Sequence, residues 1–141
     1  MDGCIFCDPM TADGILFEDD VVMAFRNVHP RAAIHVLVVP KQHINNTSEL
    51  GETHMSLVQY MVKVGKMVLA QQCQVLFTDQ VLRHSHVFGF HQFPFNSVNH
   101  LHLHCIVPPY TRWWHRLWYT DSCVVGHFIS ADSLLEHLRL R

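Results

Sequence analysis

The stretch His100-Leu101-His102-Leu103-His104-Cys105-Ile106 alternates histidine with an apolar residue, and a period of two is the period of a β-strand. In such a strand the three imidazoles share one face and the two leucines the other, so Leu101 and Leu103 anchor the strand in a core while the rings line a cleft. Three histidines are poor material for a passive strand, because each buried ring needs hydrogen-bond partners. They are also awkward ligands for a single metal ion, since the outer Cα atoms lie about 13 Å apart in an extended chain. Spread along a cleft they suit an extended anion such as a phosphate chain. Imidazole attacks phosphorus when neutral and donates hydrogen bonds when protonated. Neighbouring rings disfavour simultaneous protonation, so one stays nucleophilic while another carries the proton.

The rest of the chain reads as one domain around that strand. Over residues 15–28 two apolar runs flank Glu18-Asp19-Asp20, the pattern of a β-hairpin. Pro30 precedes an apolar, β-branched run at 33–39 that ends at Pro40 and reads as a buried strand. Thr47 or Ser48 is placed to cap a long helix reaching Gln72, with Leu57, Met61, Val64 and Val68 on one stripe. Gly65 within it costs about 1 kcal/mol against alanine, which implies a close neighbour. Residues 73–97, broken by Gly89 and Pro94, read as one strand and a loop. The strand at 100–107 stops at Pro108-Pro109, and a tail with Trp113, Trp114, Trp118 and Tyr119 follows. These aromatic residues are expected to pack against the domain. Residues 130–138 form a short helix with Ser130 as cap and Leu134, Leu135 and Leu138 on its buried side. The fold class is α+β, with an antiparallel sheet and a single domain over residues 1–141.

Composition narrows the function classes. The 141 residues carry a net charge of −2 with histidine neutral, which gives no electrostatic basis for clamping extended nucleic acid. No segment has the length and apolarity to cross a membrane, and no membrane partner is expected. The start lacks a secretory signal, and five irregularly spaced cysteines (Cys4, Cys7, Cys73, Cys105 and Cys123) fit reduced thiols in the cytoplasm or nucleus. Thirteen histidines are far above ordinary usage.

The alternating run resembles the histidine triad motif, His-apolar-His-apolar-His followed by two apolar residues. Phe17-Glu18-Asp19-Asp20, Ala24-Phe25 and the segment Val36-Leu37-Val38-Val39-Pro40-Lys41-Gln42-His43-Ile44 look like Hint-type members in order and spacing. Gly89-Phe90-His91, Pro94-Phe95 and the ending over 128–139 are similar to the third Hint branch, which is related to aprataxin. The resemblance implies a five-stranded antiparallel sheet with a long helix and a short C-terminal helix, paired into a homodimer through the long helix and a sheet edge. It implies that His102 attacks the α-phosphorus of an adenine-type nucleotide, giving a nucleotidyl-histidine that water hydrolyses to AMP. His104 would hydrogen-bond the phosphate, His100 would orient the nucleophile, and Ser97 would hold the phosphate and leaving group. Ile5, Phe6, Phe25, Arg26, Asn27, Val28 and Val98 match positions of the base and ribose pocket. Asn27 departs from the aspartate usual there, which exchanges a charge-assisted acceptor for an amide.

Some relatives bind zinc, and the matching ligands here are Cys4, Cys7, His43 and His100, the two cysteines at a spacing that lets both thiolates grip one ion. Such a site would be structural and would leave His102 unencumbered. His91, in the loop before the triad, is a possible wall of the leaving-group pocket, whereas His29, His54, His84 and His137 read as surface or capping residues. The reading is a phosphoramidase acting on nucleoside phosphoramidates or acyl-adenylates. The alternatives are a dinucleoside polyphosphate hydrolase, a deadenylase of nucleic-acid ends, and a non-catalytic nucleotide-binding or scaffold protein.

Overall fold

The computed structural model describes Phe6 and residues 14–76, 86–121 and 126–140. Hairpin β1 (Ile15–Glu18) and β2 (Val22–Arg26) turns on Asp19, whose carboxylate accepts from the backbone N–H groups of Val21 and Val22, both at 2.8 Å. Its second oxygen accepts from the Tyr60 hydroxyl of the long helix. Together these donors, the tyrosine foremost, hold the Asp19 carboxyl below its ordinary range.

Strand β3 (Ala32–Pro40) pairs with β2 on one side and with β5 (Leu103–Tyr110) on the other. Beyond β5 lie β4 (Val87–His91) and then β6 (Phe128–Ser130), so the antiparallel order is β1-β2-β3-β5-β4-β6. The sheet therefore has six strands among the described residues, not the expected five. The extra strand is three residues long, too short to show a period of its own. It fits because Gly89 has no side chain: a Cβ there would lie 2.3 Å from Phe128 Cζ and 2.6 Å from the Ile129 carbonyl oxygen. β6 thereby occupies the outer edge of β4 over its last three residues.

One face of the sheet is covered by α1 (Met55–Leu76) and α3 (Ala131–Leu140). Val22, Ala24, Ile34, Val36, Val38, Leu101, Leu103 and Cys105 meet Val58, Met61, Val64 and Val68 there, with Leu134 and Leu138 closing the end. The close neighbour of Gly65 is Cys105 on β5; a Cβ on the glycine would stand 2.6 Å from its Sγ. Ser130 caps α3 as expected, its Oγ accepting from Ser133 N at 3.2 Å.

Four other expectations need correction. The long helix does not begin at Thr47 or Ser48: Asn46 caps a single 3-10 turn over Thr47–Glu49, a second turn spans Glu52–His54, and α1 starts at Met55. Gly51 separates the two turns, where helix continuation is least favoured. The triad strand starts at Leu103 rather than at position 100, because in this register Leu101 would face Pro40, which has no N–H to give. β5 also continues through Pro108 and Pro109 to Tyr110, with a register shift opposite Ala32 and Ile34. Finally, the tail tryptophans do not pack inside: Trp113, Trp114 and Trp118 are all exposed around the single-turn helix α2 (His115–Trp118). Cys4, Ile5, Cys7, His84 and Cys123 lie outside the described residues.

Candidate functional site

The sheet face turned away from α1 carries two adjoining clusters. Alternation along β2 and β3 places Met23, Phe25, Leu37 and Val39 together, with Phe6 laid over them and Val98 packed at the margin. Next to this apolar floor stand His35, His102 and His104, all buried. Phe6 joins the two, its ring 5.4 Å from Phe25 and 5.2 Å from His102.

Hydrogen bonding fixes the protonation of each ring. His102 Nδ1 lies 2.7 Å from the carbonyl oxygen of His100, so Nδ1 carries the hydrogen and Nε2 keeps its lone pair. Arg31 N–H points at His35 Nδ1 at 3.1 Å, which makes that nitrogen the acceptor and puts the hydrogen on Nε2. His35 Nε2 lies 2.9 Å from His104 Nδ1 and donates to it. His104 must then carry its own hydrogen on Nε2. That buried atom has no hydrogen-bond partner among the described residues, so the relay from Arg31 through His35 ends on a single unsatisfied donor. Burial pushes His102 down to about 4 and His35 to about 3, and it holds His104 well below its ordinary value. All three rings are neutral near pH 7. The centroids of His102 and His104 are 5.0 Å apart, a lone pair beside a donor.

His91 stands 4.7 Å from His104, ring edge to ring face, and donates through Nε2 to the Trp118 carbonyl at 2.8 Å. With Phe95, Trp118 and His127 it lines a cavity of about 400 Å³. Tyr119 packs on His35, His91 and His104 together. Burial raises its hydroxyl to about 12, so this wall stays uncharged.

The remaining expected residues fall into three groups. Ser97 is exposed on the loop between β4 and the triad, one residue before Val98. Arg26 faces the helix side, its Nη2 donating to Gln72 Oε1 at 3.2 Å, and Val28 is exposed beyond the end of β2; neither joins the apolar floor. Strand alternation explains Arg26, since Phe25 before it takes the cleft side. Asn27 uses its Oδ1 to accept from His29 N at 3.0 Å, and its Nδ2 approaches His35 Nε2 at 3.3 Å. His43 and His100 meet edge to face at 4.7 Å. Their Nε2 atoms contact Asn45 Oδ1 at 2.7 Å and the Pro40 carbonyl at 2.8 Å, so a metal would be held through Nδ1 of each ring. Among the described residues no three His, Cys, Asp or Glu side chains are placed to hold a metal.

Sequence reasoning missed His35. Its signal was present: it is the one polar residue in Ala-Ala-Ile-His-Val-Leu-Val-Val-Pro, an otherwise apolar strand, and alternation puts it on the face of Leu37.

Comparison with known proteins agrees with this arrangement. A family model described as "Scavenger mRNA decapping enzyme C-term binding" matches residues 3–116. The chain is 40% identical over 141 residues to the bifunctional adenosine 5'-phosphosulfate phosphorylase/adenylylsulfatase HINT4 of Arabidopsis thaliana, spanning 96% of this chain and 91% of that protein. It is 36% identical over 145 residues to the adenosine 5'-monophosphoramidase HINT3 of Mus musculus, spanning 96% of this chain and 81% of that protein. A solved histidine triad protein from Clostridium difficile superposes with a TM-score of 0.64 at 26% identity, over 77% of this chain and 93% of that one. With its triad on β5 and the segment leading into it, the chain belongs to the histidine triad family.

Proposed function

We propose that this protein is a hydrolase acting at the α-phosphate of adenine-type nucleotides, cleaving the P–N bond of nucleoside 5'-phosphoramidates through a covalent nucleotidyl group on His102. The observation that carries the reading is the pairing of two ring nitrogens of opposite kind: a neutral His102 with its lone pair on Nε2, beside a His104 whose Nε2–H has no partner among the described residues. Relatives that share 33–40% identity over most of the chain are named for adenosine 5'-monophosphoramidase or adenylylsulfatase activity, which supports hydrolysis at a nucleotide phosphate.

The base lies on the floor of Phe6, Phe25 and Leu37. His102 Nε2 forms a bond to phosphorus as the P–N bond breaks with its electron pair going to nitrogen, and the departing nitrogen takes one proton from solvent to leave as an amine. The ring becomes cationic when phosphorus is attached, and its Nδ1–H bond to the His100 carbonyl stabilises that charge. His104 Nε2–H donates to a phosphoryl oxygen as negative charge develops there. Water then attacks phosphorus, the Nε2–P bond breaks with its electron pair returning to the ring, and one proton of the water goes to solvent. The cavity lined by His91, Phe95, Trp118 and His127 holds the leaving group.

A zinc ion on Cys4, Cys7, His43 and His100 belongs to the same reading; it would act structurally, tying the N-terminal segment to the edge of the cleft. A homodimer would meet through α1 and a sheet edge, and with β6 paired to β4 over residues 89–91 the edges among the described strands are β1 and β6. The test is AMP release from adenosine 5'-monophosphoramidate and from adenosine 5'-phosphosulfate, comparing the natural protein with His102→Ala. Turnover of either substrate that the variant lacks supports the reading. Nucleotide binding without turnover by the natural protein makes the site a sensor and overturns it.

A further inference from the structure

Two segments beside the cavity lined by His91, Phe95, Trp118 and His127 expose large apolar side chains. Trp113 is 78% exposed, Leu117 54%, Phe93 68% and Phe95 52%. Trp114 and Trp118 are also exposed beside them, and Trp118 and Phe95 face the same cavity, so the two loops form one surface. Six of the ten exposed large apolar side chains of the described residues sit here. Contiguous patches of this kind on a water-facing surface mark an interaction site.

The charge of the surface departs from that of the chain. Although the whole sequence carries −2, no acidic residue occurs between Asp79 and Asp121, while Arg112 and Arg116 flank the tryptophans. Arg31 reaches the same surface, its guanidinium 5.3 Å from the Trp118 ring centroid, and Arg112 stands 5.7 Å from that of Trp114. Asp121 is turned toward α3, accepting from Ser130 N at 2.7 Å. Among the described residues the patch is thus aromatic and cationic, with no acid on its own two segments.

We infer that this aromatic-arginine rim is a peripheral docking surface for an anionic lipid bilayer. Tryptophan prefers the headgroup level of a membrane, where its ring is dry and its N–H is wet, and arginines beside it pair with lipid phosphates and carboxylates. Other occupants fit less well. A strand of nucleic acid needs a run of open ring faces for stacking, but Arg112 and Arg31 lie over Trp114 and Trp118, which leaves Trp113 and the two phenylalanines as isolated stacking positions. A second copy of the same surface would set arginine against arginine. No helix among the described residues is long and apolar enough to cross a membrane, so the contact is interfacial.

All three tryptophans of the chain lie in this patch, so intrinsic fluorescence reads it directly. The full-length protein is titrated with vesicles of phosphatidylcholine alone and of phosphatidylcholine with 30 mol% phosphatidylserine, and binding is confirmed by co-sedimentation. The expected result is a blue-shifted emission and partitioning on anionic vesicles, weakened by salt. Arg112→Gln with Arg116→Gln lowers partitioning by about 20-fold or more, from roughly fivefold per basic residue. Trp113→Ala with Leu117→Ala lowers it by about tenfold or more, and both variants keep the natural melting temperature. Partitioning that is absent, or equal in the variants, overturns the inference. So does a blue shift seen only with a single-stranded oligonucleotide, or one that grows with protein concentration in the absence of lipid.

Discussion

Gly65→Ala is the substitution whose sign the structure decides most sharply. A methyl group at Gly65 would sit 2.6 Å from Cys105 Sγ, about 1 Å inside the separation at which such atoms attract. Alanine should stabilise α1 by about 1 kcal/mol through helix propensity. Forcing the helix off the sheet, however, costs about 1–3 kcal/mol, so the net change is destabilising by about 1 kcal/mol. Cys105→Ala removes the obstacle and leaves a small cavity, also costing about 1 kcal/mol. In the double variant the new methyl fills that space, with Phe88 Cε1 at 3.5 Å and Leu103 Cδ2 at 3.6 Å as ordinary neighbours. Its stability returns close to natural, about 2 kcal/mol better than the two single effects summed. Urea denaturation of the four proteins measures this, with each single variant losing about 0.5 M in midpoint at a slope of about 2 kcal/mol/M. Cys105 follows His104 on β5, so hydrolysis should fall and recover in step. A Gly65→Ala protein as stable as the natural one, or a double variant no better than the sum, would refute the packing argument.

Other consequences follow from the ring network. His35 and His102 are neutral when folded, near 3 and 4, and take up protons on unfolding below their ordinary 6.5. Stability is therefore full above pH 6.5 and is lost as the pH falls toward 4, by about 4 kcal/mol from these two rings at pH 5; an unchanged urea midpoint between pH 7.5 and 5 would contradict it. Asn27→Asp restores a charged acceptor at the position matched to ribose binding, and nucleotide KM should fall by about tenfold, measured by steady-state kinetics against the natural protein. Zinc analysis of protein purified under reducing conditions should give one ion per chain, and His43→Ala should weaken zinc affinity by about 100-fold or more; equal affinity without His43 would sink the site.

Much of this site was legible because the run from His100 leading into β5 alternates histidine with an apolar residue, long enough for pattern to outweigh chance. The turn at Asp19, the buried run before Pro40 and the serine cap of α3 were legible for the same local reasons. His35 was not, because a single histidine in an apolar strand acquires meaning only when the register sets it diagonally across from His104. β6 escaped because three residues carry no period; its place depends on the empty side chain of Gly89, seventy-four residues after β1 begins. Arg26 and Val28 were matched by position along the chain, while the face each presents follows from strand alternation and the turn after β2. The exposure of the tryptophans is likewise a tertiary fact: their apolarity alone argued for burial.

The central claim is that His102 Nε2 becomes covalently bonded to phosphorus. Adenosine 5'-monophosphoramidate labelled at the α-phosphorus is mixed with the protein, quenched in alkali within milliseconds, and the protein-bound label is mapped by peptide mass spectrometry. The account predicts a transient label on the peptide containing His102, formed faster than AMP is released and absent from His102→Gln. AMP released with no labelled protein at any time, under conditions that preserve a phosphohistidine standard, would contradict it.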